Sequence, residues 1–544
     1  MNRPRIFVKA LHLLAVSFLA SAAIAQSPVD LVAQAIDATG GEAKLAAIST
    51  VVTRSRHRHW DPQQTAVANQ GTNQGGASNF TLSLDLQTGK ARQDWVRHNR
   101  QPGNRLFMYS EVLADGYGFV LGADNIVLSK QARETTPPLH TMSRSRVVAA
   151  MREIHRVNPR LLLEMKNNPD KLSALPDEVG NGKKLKGIGY AAQDAQWRVF
   201  FDPDTKLIDR VRTVDGDGIW GDSNFDMVLS DWRDIAGVKF PYKRMYYLAG
   251  RETQEALVEE VVVNSRLPAD LFAIPSAVKE THAKQQTPSQ INLQWFIRRS
   301  HWGSFIDSDT LAFDPTMLAA NKWTEVKPGI WHVTGGSHNT LVVEMKDHLV
   351  VFDAPVGNEM SRLTVAEAER RFPGKPFKHL VMSHHHMDHA NGARVFAAKG
   401  ASVVFSAGNR EYFEGQMTAP NSIRNDELWT NPRKVPLIEV KDKLELSDGV
   451  RKIMLYPIAN THAPGLLIAH IPDADFGWVV DLWSPSRDTP NDRASHGEFL
   501  REIRRLNVMP TLWAGGHGAG PAPLQPWAEA VDDALAKLAK TASK

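Results

Sequence analysis

Alternating apolar and polar positions dominate the first half of the chain. Gln196-Trp197-Arg198-Val199-Phe200-Phe201 and Leu207-Ile208-Asp209-Arg210-Val211 flank an Asp202-Pro203-Asp204 turn, which predicts an antiparallel hairpin. Val238-Lys239-Phe240-Pro241-Tyr242 and Glu259-Glu260-Val261-Val262-Val263 repeat the pattern, so residues 51–264 are expected to be mainly strand. Helices are expected near 143–155 and 159–165. A short helix over 28–38, with Leu31, Val32, Ala35 and Ile36 on one side, should end at Gly40-Gly41. The Gly-, Asn- and Gln-rich tract 71–78 reads as an exposed loop.

The period changes after a polar stretch, 279–290, that contains Pro288. Strands are expected over 330–334, 340–344 and 349–352, then a helix over 360–371 bearing Leu363, Val365, Ala366 and Ala368. Leu380-Val381-Met382 and Val404-Phe405-Ser406 read as further strands, and 526–539 as a closing amphipathic helix. The division is therefore 1–25, 26–278, 279–322 and 323–544. Trp295, Phe296, Trp302 and Phe305 make the third segment a bridge or lid, with plain core packing the simpler role.

The chain has 544 residues, 42% hydrophobic and 23% charged, enough for two large domains or about three average ones. It has no Cys. That excludes disulfides, a CxxC redox site, a Cys nucleophile and a Cys metal ligand. Arg3, Arg5 and Lys9 precede an apolar run over 10–20 and an Ala23-Ile24-Ala25 site, the pattern of a cleaved secretory signal, so a periplasmic or secreted protein with no integral membrane segment is expected. The formal charge of +4 includes those three cations, leaving the mature chain near +1 and nucleic acid an unsuitable partner.

The chemistry concentrates in Ser383-His384-His385-His386-Met387-Asp388-His389-Ala390-Asn391-Gly392. His384 and His386 alternate, so both can reach one ion from the same side, while Asp388 and His389 open the next element toward a neighbouring ion. An adventitious His tract would lack the fixed carboxylate and the small-residue turn that follows.

This HxHxDH pattern, with Gly392 beyond it, resembles the signature of the metallo-β-lactamase superfamily. Four further motifs follow its order: Leu349-Val350-Val351-Phe352-Asp353, Asn460-Thr461-His462-Ala463-Pro464-Gly465, Gly477-Trp478-Val479-Val480-Asp481 and Gly515-Gly516-His517-Gly518. The resemblance implies an α+β protein whose C-terminal αββα metallo-β-lactamase sandwich follows a mainly antiparallel β domain. It implies that His384, His386 and His462 hold one metal and Asp388, His389 and His517 a second. Asp481 would bridge them, and Asp353 would orient the imidazoles. Two zinc ions per chain suit these donors, and His386 stands where a diiron branch has a carboxylate. A hydroxide held between the ions would attack the substrate, with Asp388 orienting water or relaying its proton.

Metal ligands set the reaction class and pocket loops the substrate. Within that resemblance, Asp481 implies a carboxylic ester, lactone or thioester as small-molecule substrate. A β-lactam hydrolase, a single-iron persulfide dioxygenase and a non-catalytic envelope lipid-binding protein are the alternatives. His338, in Gly335-Gly336-Ser337-His338-Asn339, lies on the loop that overhangs the metals in this superfamily and could contact substrate. His385 should point away, and His57, His59, His332 and His348 receive no chemistry. The first domain resembles the curved sheet of periplasmic lipoprotein-carrier proteins, which implies an apolar face able to take a lipid or acyl ligand. An accessory role is expected for it.

Overall fold

The computed structural model describes residues 27–71, 73–100, 105–122, 139–192, 195–285, 293–302, 321–334, 338–486 and 494–542. The expected signal segment lies outside them. No helix among the described residues is long and apolar enough to cross a membrane.

The expected strand-rich region is a fourteen-stranded antiparallel sheet. Most strands neighbour the next in the chain; the short strands Leu172–Ala174 and Glu178–Gly180 both pair with Lys183–Ala191, and the first strand, Thr50–Trp60, pairs with the last, Arg251–Val263, which joins the two runs into one sheet. One face is covered by the chain's own helices. Pro28–Thr39 starts at a Ser27 cap that accepts from Asp30 N, stops at Gly40 (φ 136°), and buries Leu31, Val32, Ala35 and Ile36. Leu161–Asn167 adds Leu161, Leu162 and Met165 to the same core. The cavity left between these helices and Phe240 is about 60 Å³.

Helix Leu293–Trp302 packs on this sheet, with Ile297 and Arg298 buried. Part of the expected linker or lid is therefore a core element of the first unit. The side chains of Trp295, Phe296, Trp302 and Phe305 lie outside the described residues. The tract 71–78 also departs from expectation, because strand Gln74–Asp85 begins within it and pairs with Thr50–Trp60. Its glycines suit close packing: a Cβ on Gly76 would meet the His98 carbonyl at 2.3 Å.

The C-terminal region is an αββα sandwich. A seven-stranded sheet runs in chain order from Lys322–Lys327 to Leu437–Val440, antiparallel at first and parallel from Leu349–Phe352 onward. A six-stranded sheet faces it. Ile330, Leu341, Val343, Val350 and Phe352 of the first meet Ile453, Leu455, Leu467, Ala469 and Trp478 of the second. Helices Ala494–Leu506 and Leu524–Ala542 close the second sheet through Phe499, Ile503, Trp527 and Val531.

The two units are joined by specific contacts. The Gly218 carbonyl accepts from Gln416 Nε2 at 3.0 Å, and a Cβ on Gly218 would meet Asn391 Oδ1 at 1.3 Å, so only glycine fits there. Asp222 accepts from Ser422 N at 2.9 Å, Ser422 Oγ at 2.6 Å and Ile423 N at 3.1 Å.

Candidate metal centre

Each site residue lies just beyond an apolar strand or in a tight turn. Asp353 follows Leu349–Phe352, and Asp481 follows Phe476–Val479 after one further residue. Both adopt left-handed backbone, φ 58°, a conformation short carboxylate side chains tolerate better than most and one that gathers at functional sites. The metal loop leaves strand Phe377–Val381, and Met387–Ala390 turns into a short helix carrying Asp388 and His389.

The imidazoles converge on Asp481. Its Oδ2 lies 3.2 Å from His384 Nε2, 3.1 Å from His462 Nε2 and 3.2 Å from His389 Nε2, and its Oδ1 lies 2.8 Å from His517 Nε2. His384 and His462 bring their Nε2 atoms within 3.3 Å of each other. Two groups of close donor atoms result: His384, His386, His462 and Asp481, then His338, His389 and His517.

Supporting hydrogen bonds fix the rings. Ser383 Oγ donates to Asp353 Oδ2 at 2.8 Å, so it accepts from His384 Nδ1 at 3.0 Å and leaves the His384 Nε2 lone pair facing Asp481. Asp353 Oδ1 also accepts from Ser383 N at 2.7 Å. His389 is fully buried with Nδ1 3.3 Å from Asp353 Oδ2, yet neither of its ring nitrogens is aligned as a hydrogen bond. Asn339 Nδ2 donates to the Gly515 and Gly518 carbonyls at 3.0 and 2.8 Å, shaping the turn that presents His517. Gly516 has no room for a side chain there, since a Cβ would meet Val480 at 2.8 Å.

Charge follows burial. Desolvation drives His384 and His338 down to about 3 and His386 well below its ordinary value. Burial also opposes charge on His389, but the Asp481 and Asp353 carboxylates outweigh it and raise His389 well above the usual range. Burial would raise Asp481, yet the His389 charge and the imidazoles gathered around it hold it well below. The His384 lone pair thus faces the Asp481 carboxylate across 3.2 Å while His389 holds a charge beside the same oxygen, an arrangement that requires protons or cations between these groups. Neutral imidazoles around a carboxylate fit a metal of the zinc class.

Asp388, expected as a ligand, has its carboxylate engaged otherwise: Oδ1 accepts from Gln64 Nε2 at 2.5 Å and Oδ2 from His338 Nε2 at 3.1 Å. His338, expected as a substrate contact on a loop, is buried against His389 and His517 with ring centroids 5.0 and 4.4 Å apart. His385 does turn from the centre, donating through Nε2 to the Thr65 carbonyl at 2.7 Å. The same carbonyl takes His386 Nε2 at 3.0 Å. Gln64 and Thr65 belong to the first unit, which therefore contributes hydrogen bonds to the metal loop. Sequence reasoning missed both residues, since a Gln-Thr pair in a turn has no motif of its own.

Residues 333–476 match the model of the metallo-beta-lactamase superfamily. The C-terminal domain belongs to that superfamily. Over 157 residues the chain is 22% identical to the 2,4-dinitroanisole O-demethylase subunit alpha of Nocardioides sp. (strain JS1661). The match takes in 29% of this chain and 44% of that protein, so the chain spans less than half the length of this curated relative. A HARLDQ-motif mutant of the metallo-beta-lactamase from Cronobacter sakazakii is similar over 41% of this chain and 97% of its own, at 19% identity and TM-score 0.29. The inverting sec-alkylsulfatase Pisa1 from Pseudomonas sp. is similar over 42% of each chain, at 18% identity and TM-score 0.30.

Proposed function

We propose that the protein is a metal-dependent hydrolase that holds two zinc ions per chain and cleaves a carboxylic ester, lactone or thioester, working in the periplasm or outside the cell. The observation that carries this reading is the convergence of four imidazole Nε2 atoms on the Asp481 carboxylate at 2.8 to 3.2 Å. His384, His386 and His462 would hold one ion and His389, His517 and Asp388 or His338 the other, with Asp481 shared. When bound, such ions polarise a substrate oxygen and lower the pKa of a water to about 7.

The protein's own residues do the rest. Asp353 and Ser383 hold His384 in the tautomer that presents Nε2. Thr65 holds His386 through its carbonyl, and burial keeps that ring neutral and ready to ligate. Asp388 Oδ2 accepts from His338 Nε2, which fixes the carboxylate that would orient a water or relay its proton.

The test is metal analysis followed by a hydrolysis screen of the zinc-loaded protein on acyl esters, lactones, thioesters, cephalosporins and phosphodiesters. The aryl methyl ether 2,4-dinitroanisole joins the panel because of the relative above. Two zinc per chain with ester, lactone or thioester cleavage is the expected result. One iron per chain with oxygen uptake would replace this reading with oxidation.

A further inference from the structure

Residues 61–71, between strands Thr50–Trp60 and Gln74–Asp85, reach out of their own sheet to the metal loop. Three successive residues make the contact. The Gln63 carbonyl accepts from Met387 N at 3.4 Å, Gln64 Nε2 donates to Asp388 Oδ1 at 2.5 Å, and the Thr65 carbonyl takes both His385 and His386. The finger holds its own shape: Asp61 N donates to the Asn73 carbonyl at 3.0 Å, Asn73 Nδ2 to the Gln64 carbonyl at 2.6 Å, and Thr65 Oγ1 to the Val67 carbonyl at 2.8 Å.

A cleft of about 500 Å³ lies between the finger and the metal loop, the size of a small-molecule site. Gln64, Thr65, Ala66, Val67, Gln70 and Asn73 line one side, with Thr461 and the imidazoles of His386 and His462 opposite. Its lining among the described residues contains no Lys, Arg, Asp or Glu. On the finger side, away from the imidazoles, a charged group meets no counter-ion, and the carboxamides of Gln64, Gln70 and Asn73 suit a hydrogen-bonding group better than a long alkyl chain.

We propose that the finger is the substrate-binding wall of the metal centre, that Gln64 is the positioning residue for Asp388, and that the cleft takes an uncharged hydrogen-bonding group on the non-reacting side of the substrate. The proposal rests on the hydrolase reading above. Fixing Asp388 by a charge-assisted bond sets where its second oxygen points, and the carboxamides beside it supply donors and acceptors for a neutral polar group.

The full-length protein tests it with zinc alone as the first probe. Zinc dissociation constants are measured by chelator competition for the wild type, Gln64→Ala and Gln64→Glu, the last keeping side-chain size while removing the N–H donor. Both variants should bind zinc about tenfold more weakly. KM is then compared for three esters of one leaving group, carrying a carboxamide, a carboxylate or an octyl chain. The carboxamide ester should have the lowest KM, and Gln64→Ala should raise it for that ester more than for the octyl one. Wild-type zinc affinity in Gln64→Glu, or a lowest KM for the carboxylate or octyl ester, overturns the proposal while leaving the hydrolase reading intact. A wild type that binds no zinc overturns both.

Discussion

Asp481 Oδ2 lies 3.2 Å from His389 Nε2, and the two groups are displaced in opposite directions, the carboxylate well below its ordinary pKa and the imidazole well above. Each holds the other in its charged form. A cation placed between them relieves the same demand without the proton, so this pair marks where metal and proton compete.

Asp481→Ala should therefore lose at least one metal ion while keeping the fold, because the carboxylate is the shared partner of four imidazoles. Elemental analysis beside circular dichroism checks this. Two ions per chain in the folded variant would show that Asp481 is not a ligand.

The order of motifs made the centre legible from sequence because metal ligation fixes residue type and spacing. Asp353 and Asp481 were legible through the motif order of the resemblance, each a carboxylate closing an apolar strand. Gln64 and Thr65 were not legible. A carbonyl acceptor has no side-chain signature, and contacts spanning more than 300 residues leave no periodic trace. The antiparallel sheet was legible from alternation, but its closure by pairing the first strand with the last depends on tertiary register.

Stability should fall in mild acid. Burial lowers His301 to about 3 and His332 to about 4, whereas the unfolded chain titrates near 6.5. Between the folded and unfolded values only the unfolded state takes up the proton, so each group makes stability rise with pH up to about 6.5 and adds no slope above it. Thermal melts of the metal-free protein should show a midpoint that drops steadily from pH 6.5 to 4.5. Replacing His301 by Gln should flatten that slope, and a midpoint constant across this range would contradict the assignment.

Arg298 sits at the seam of the two units with 1% of its surface exposed. Its guanidinium lies 3.5 Å from Asp61 and 3.8 Å from Asp217, donates to the Gln63 carboxamide, and reaches Met387 Sδ at 2.6 Å, directly behind the metal loop. Arg298→Leu leaves two buried carboxylates without their cation, a loss of about 3 to 5 kcal/mol. A fall in thermal midpoint should accompany weaker zinc retention, since the same guanidinium backs the finger and the loop. Unchanged zinc retention in a destabilised variant would confine Arg298 to a structural role.

The hardest test is a fragment beginning near residue 322, which contains every imidazole of the centre and both strands that end in Asp353 and Asp481. It lacks the Thr65 carbonyl for His385 and His386, the Gln64 amide for Asp388 and the Gly218 carbonyl for Gln416. Buried imidazoles that lose an acceptor lose orientation as well as a hydrogen bond, and outer partners of metal ligands typically contribute 10- to 100-fold to affinity. The fragment should therefore bind zinc at least about tenfold more weakly than the whole chain. It should also fail on small soluble esters that the whole chain cleaves. Comparing both proteins at equal zinc content separates metal loss from loss of the cleft. A soluble fragment with full zinc affinity and wild-type kcat would restore the first unit to an accessory role.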